Sequence, residues 1–204
     1  SIMIPDKCFD GCSALRELDL MLNVEDGPNH RRSLGPENFI LNGTDIFAGC
    51  DTTQLKIRVG KSRLKDFVND EVWGKYRAMY ITEDDALPVN QTKAGVQYSN
   101  QFELNSRRVD DSYNEHTIEY LTAVGIKEGG LGSSGEMKLY NDIGTFNNYH
   151  LSNVNFNAFK GNSELRGVTF WDLDGVLWTG DAYTDLDLML NDSCMAECPN
   201  LQIA

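Results

Sequence analysis

The chain has 204 residues, 41% hydrophobic, with only 5 prolines and a formal net charge of −13. That is a globular composition, long enough for one large or two small cores. The acidic balance offers no basic patch for nucleic-acid phosphates or an anionic membrane surface, and no apolar run reaches the 18 residues of a span, so nucleic acid and membrane insertion are excluded as roles of this segment.

In chain order, the first element is a phrase, CFDGCSALRELDL, from Cys8 to Leu20. Leu18 and Leu20 alternate with Glu17 and Asp19, the period of a strand with one buried face. Gly11 supplies a tight turn between Phe9 and Leu15. The phrase returns as IFAGCDTTQLKIRV (Ile46 to Val59), AFKGNSELRGVTF (Ala158 to Phe170) and CMAECPNLQIA (Cys194 to Ala204). A turn with one short strand cannot bury its own apolar face, so a recurring unit of this kind predicts stacking of copy on copy. Phe9 and Phe47 are 38 positions apart and Phe159 and Met195 are 36. Leucine-rich units usually run about 20–29 residues, so these are padded or interrupted. Residues 23–44, punctuated by Gly27-Pro28 and Gly35-Pro36, read as a loop insert. After it, Leu64, Phe67, Val68 and Val72 recur at helical spacing.

The stretch Ile4-Pro5…Cys8-Phe9-x-Gly11-Cys12-x-x-Leu15-x-x-Leu18-x-Leu20 resembles the BspA-like leucine-rich repeats of bacterial surface proteins. Residues 57–81 resemble the segment that ends such arrays: a strand, a short helix, then Trp73 and Tyr76 as a lid. The resemblance implies an α/β leucine-rich-repeat solenoid, strand-rich with little helix. It would have a block at 1–81 with its cap, an irregular connecting or capping segment at 82–147 and a second block at 148–204. It also implies an extracellular or cell-surface setting and adhesion to a protein or glycoprotein ligand. The first residues already belong to a copy and the fourth copy stops where its strand is due, so both ends read as cut from a longer chain.

Within 82–147, Thr117 to Ile126 fits a helix by spacing and a strand by β-branched content. The run GGLGSSG from Gly129 to Gly135 lacks the Lys-Ser/Thr of a phosphate-binding loop. Further on, Asp172-Leu-Asp174-Gly175 after an apolar run looks like the first motif of the haloacid dehalogenase-type phosphatases. That likeness would make Asp172 a nucleophile and Asp174 an acid/base. Only 30 residues follow Asp174, and no Lys occurs after Lys160 to clamp a phosphate. A repeat strand running into an Asp-Gly turn is the preferred reading, and the chain is expected not to be an enzyme. The carboxylates Asp172, Asp174, Asp181, Asp185 and Asp187 read as a solvated acidic face, with calcium as the alternative.

The five cysteines include two C-x-x-x-C pairs, Cys8/Cys12 and Cys194/Cys198, with Cys50 at the Cys12 position of its copy. Buried thiols filling small repeat slots are expected, because Ala158 and Asn162 take the same slots in the third copy. Zinc and disulfides are the alternatives. His30, His116 and His150 fall in no catalytic arrangement, and no cofactor is implied. The outward strand positions are the candidate ligand contacts: Glu17, Asp19 and Met21 in the first copy, Lys56 and Arg58 in the second, Thr169 and Trp171 in the third. The expected function is a non-enzymatic recognition module, with a structural assembly segment of a larger protein as the alternative.

Overall fold

The computed structural model describes residues 2–21, 24–25, 31–32, 34–85, 102–111, 116–126, 128–129, 136–138, 148–169 and 188–204. Its strands are short, apart from one hairpin. In chain order they are β1 (Ile2–Pro5), β2 (Glu17–Asp19), β3 (Val24–Glu25), β4 (Arg31–Arg32), β5 (Phe39–Asn42), β6 (Lys56–Arg58) and β7 (Tyr80–Ile81). After them come β8 (Phe102–Asp111), β9 (His116–Ile126), β10 (Glu136–Lys138), β11 (Asn148–Val154), β12 (Gly167–Thr169) and β13 (Leu188–Leu190). The one α-helix described is α1 (Leu64–Asn69). Thr117 to Ile126 is therefore strand; its β-branched residues suit a pleated sheet.

Each copy of the phrase is a turn joining two strands that go to different sheets. The first sheet runs β5-β1-β13-β11-β9-β8, parallel throughout except for β8, which closes the edge antiparallel to β9. The second contains β10-β12 and β2-β6-β7, also parallel. Ile203 joins its two parts by pairing with both Glu17 and Gly167. In both sheets the copies follow the order third, fourth, first, second. The first copy, at the chain's beginning, is thus stacked on the fourth, at its end. β1 pairs with β13, so strands from 1–81 and from 148–204 lie side by side in one sheet. β9 and β10, from the segment expected to connect them, extend the two sheets by one unit beside β11 and β12.

The turns share one left-handed position. The fourth position of the phrase is left-handed in every copy: Gly11 (φ 74°), Gly49 (75°), Gly161 (74°) and Glu197 (57°). So is the residue before the phrase in three of them: Lys7 (58°), Asn157 (56°) and Ser193 (59°). This geometry turns the chain inward, and Phe9, Phe47, Phe159 and Met195 are all buried between the sheets. Phe9 and Phe47 stack with ring centroids 6.3 Å apart. Leu15, Leu55, Leu165 and Leu201 are also buried, as are Leu18 and Ile57 in register on β2 and β6. Each such side chain contributes about 1.5–3 kcal/mol.

Two sequence expectations need correction. Residues 23–44 are not simply a loop: Phe39–Asn42 forms β5, paired from Ile2↔Phe39 to Pro5↔Asn42, because β1 presents an edge whose backbone groups need partners. The helical run also ends earlier than its spacing suggested. Asp70 accepts hydrogen bonds from the Val72 and Trp73 N–H groups, both at 2.8 Å, which leaves Val72 outside α1 and half exposed. Beyond it Trp73 is buried and packs edge-on to Phe39 and Phe67 and against Tyr76. Its indole N–H donates to the Phe39 carbonyl at 3.0 Å, tying this end piece to β5.

Candidate functional site

The outward positions of β2 and β6 are where a ligand was expected to bind. Their side chains point away from Leu18 and Ile57, yet two of them are closed off from solvent. Glu17 is 0% exposed and Arg58 3%. Arg58 Nε donates to Glu17 Oε1 at 2.5 Å, and the guanidinium also donates to the carbonyls of Thr82 and Asp85. The turn after β7 thus folds over the charged pair, and the assignment of Glu17 and Arg58 to an open face is corrected. A guanidinium with no partner would be costly here; with one carboxylate and two carbonyls its donors are met.

Asp19, Met21 and Lys56 are half-buried at the edge of this cluster. The Asp19 carboxyl is pushed up to about 6 by burial. The Met21 N–H, donating at 2.8 Å, pulls it down; Glu17 raises it and Arg58 lowers it. Thr169 lies at the end of β12, paired with Lys138. Trp171, and with it Asp172 and Asp174, lies outside the described residues. The candidate contacts are therefore not one open surface. Glu17, Asp19 and Arg58 come together as a partly sealed charged cluster.

The first sheet carries a surface the sequence reading missed. Met3 pairs in register with Ile40 on one side and with Met189 on the other. Ile40 is 45% exposed, Met189 42%, and Met3 half-buried. Three apolar side chains from three separate copies thus form a row across adjacent parallel strands, about 4.8 Å apart. The signal was present in the short runs IMIP, FILN and LML. These precede the phrase by different distances, which hid their equivalence.

The cysteines occupy a column between the sheets. The Cys8 and Cys194 sulphurs are 3.8 Å apart, both fully buried. Where the fifth position of the phrase is cysteine, its thiol donates to a carbonyl of the neighbouring copy: Cys198 to Phe159, Cys12 to Met195 and Cys50 to Phe9, each at 3.1 Å. All five are free thiols. Burial, reinforced by contact with Cys194, raises the Cys8 thiol well above its ordinary value. Cys50 is pushed up to about 11, first by burial and then by Asp10 and Asp45. Cys8 and Cys50 are therefore poor nucleophiles and poor metal ligands; the Cys198 thiol is instead lowered, first by its hydrogen bond with Cys12. Among the described residues no group of three or more His, Cys, Asp or Glu side chains is placed to hold a metal ion. No helix among them is long and apolar enough to cross a membrane. No protein-family model, no curated protein and no solved structure matches the chain.

Proposed function

We propose that this chain is a non-enzymatic protein-binding module of leucine-rich-repeat type, acting in adhesion at a bacterial cell surface or in a secreted protein. The observation that carries the reading is the row Met3, Ile40 and Met189, which leaves apolar side chains in water on a regular array of parallel strands. Scattered exposed apolar residues are ordinary, but a contiguous row is a feature of interaction surfaces. Methionine, unbranched and polarisable, adapts to partners of varied shape. A stack of repeats presents such a row as an extended surface. The acidic balance of the chain favours a neutral or basic partner. The family likeness that suggests adhesion rests on the first copy and the Trp73–Tyr76 end piece.

The test is binding of the purified chain to immobilised mucin and extracellular-matrix proteins. The Ile40→Glu/Met189→Glu variant should lose binding with an unchanged melting temperature. No binding by the wild type, or equal binding by the variant, would sink the reading. The alternative, a structural assembly segment of a larger protein, is favoured by the stacking of the first copy on the fourth. It predicts no binding to any of these surfaces.

A further inference from the structure

The contact between the fourth and first copies joins parts of the chain that are almost its whole length apart, yet it repeats the contacts made inside each half. Between the third and fourth copies, Gly161 N–H donates to the Ala196 carbonyl at 2.9 Å and the Cys198 thiol to the Phe159 carbonyl. Between the fourth and first, Glu197 N–H donates to the Asp10 carbonyl at 2.6 Å and the Cys12 thiol to the Met195 carbonyl. The pattern runs on in the second copy, where the Cys50 thiol donates to the Phe9 carbonyl. Strand pairing is equally continuous. β1 pairs with β13 through Ile2↔Leu188 and Met3↔Met189. Arg16 N–H donates to the Gln202 carbonyl and Asp19 N–H to the Ala204 carbonyl, both at 2.8 Å. Nothing in these contacts depends on the two copies belonging to one chain.

Residues 86–101 provide the covalent link between residues 2–85 and 102–204. Asp85 is held at β6 by its hydrogen bond with Arg58, and β6 belongs to the same copy as β5. Phe102 begins β8, five strand spacings from β5, which is about 24 Å. The link has roughly 58 Å of reach at full extension, so it permits closure within one chain but does not compel it.

We propose that this face is a self-recognition surface whose partner is a second copy of the chain. Residues 102–204 of one chain dock on residues 2–85 of another through the same β1–β13 pairing, giving an exchanged dimer. Exchange of an identical element costs little, because every contact is kept. Tethering two docking faces through a link of a few tens of ångströms sets an effective concentration on the order of millimolar, so the exchanged form competes when chains fold together at comparable concentration. The proposal does not depend on the ligand-binding reading: loss of ligand binding would leave it standing.

The first test shortens the link. Deleting residues 88–99 leaves a reach of about 17 Å, too little for closure within one chain. Light scattering with circular dichroism should find a folded dimer or a longer head-to-tail assembly. A folded monomer overturns the proposal. The second test keeps the full chain, in case the deletion prevents folding. Cys8→Ala and Cys194→Ala chains are mixed in denaturant and refolded together at roughly 0.5 mM, near that effective concentration. Alanine is what the third copy carries in this slot. Oxidised glutathione is present during refolding. One thiol attacks it and releases one glutathione thiol. The partner thiol then attacks the mixed disulfide and releases the second, leaving a Cys8–Cys194 bond that can only join two different chains. Peptide mapping should find that bond in a dimer. A wholly monomeric refolded mixture overturns the proposal, and so does a dimer without a Cys8–Cys194 link.

Discussion

Arg58 Nε stands 2.5 Å from Glu17 Oε1 across two adjacent parallel strands, 41 positions apart in sequence, and neither side chain reaches solvent. The pair ties the first copy to the second on the face opposite the apolar core. Glu17→Gln removes the carboxylate bonded directly to the buried guanidinium, leaving Asp19 as the neighbouring carboxylate, and is expected to cost about 3 kcal/mol. Replacing both residues, as Glu17→Leu with Arg58→Met, should recover most of that loss, because both desolvation penalties disappear together. Urea unfolding of the three chains checks this. A double variant no more stable than Glu17→Gln contradicts it.

Beside that pair, Asp19 makes stability depend on pH. Its carboxyl titrates at 3.8 when unfolded and at about 6 when folded. The folded state holds the proton more tightly, so the contribution is complete below pH 3.8 and is lost as pH rises through 6. The shift corresponds to about 3 kcal/mol, discounted to roughly 1–2 because the group is only half-buried. The stability of the wild type relative to Asp19→Asn should fall by that amount between pH 4 and 7. A pH-independent difference would contradict the assignment.

Glu197 occupies the left-handed position that Gly11, Gly49 and Gly161 occupy in the other copies. A side chain there costs about 1–2 kcal/mol, partly offset by glycine's greater freedom when unfolded. Glu197→Gly is therefore expected to stabilise the chain by about 0.5–1 kcal/mol. Gly49→Ala should destabilise it by more than Gly161→Ala. A methyl at 49 meets Asp10 Oδ1 at 2.4 Å and the Gly11 nitrogen at 2.7 Å, whereas at 161 nothing lies within 4 Å. Thermal melts rank all three.

Trp73 closes the second-copy end of the stack. Trp73→Ala opens a large cavity among Phe39, Phe67 and Tyr76 and should cost about 3–5 kcal/mol. Trp73→Phe keeps much of the packing but strips the Phe39 carbonyl of its donor, at about 1–2 kcal/mol. Equal losses from the two would show that the hydrogen bond, not the packing, dominates.

Of the five thiols only Cys50 is not fully buried. A disulfide reagent added to the folded protein should consume one equivalent slowly, faster as pH rises toward 11, and five at once in denaturant. Prompt reaction of more than one thiol at pH 7 would show that the cysteine column is open.

The repeating turn was legible in the chain because it depends on local chemistry. A left-handed position selects Gly11, Gly49 and Gly161, and a buried slot selects Phe9, Phe47, Phe159 and Met195. The strands of the first sheet were harder to find. β1, β5 and β13 are three or four residues long, stand at varying distances before the phrase, and become strands only when a neighbour supplies hydrogen-bond partners. The charged cluster escaped the reading for a related reason. Alternation places Glu17 and Arg58 opposite Leu18 and Ile57, but only the turn at Thr82–Asp85 decides whether that opposite face meets water.

What the amino-acid sequence determined by itself was the unit: one turn geometry, its inward side chains and the small slots filled by Cys8, Cys12, Cys50, Cys194 and Cys198. The order of stacking was decided only in three dimensions. Each unit offers its neighbours the same backbone groups and the same buried face, so no local residue states which copy lies next. The partner is selected by which exposed strand edge remains to be covered, and for β1 one such edge was β13, from the far end of the chain.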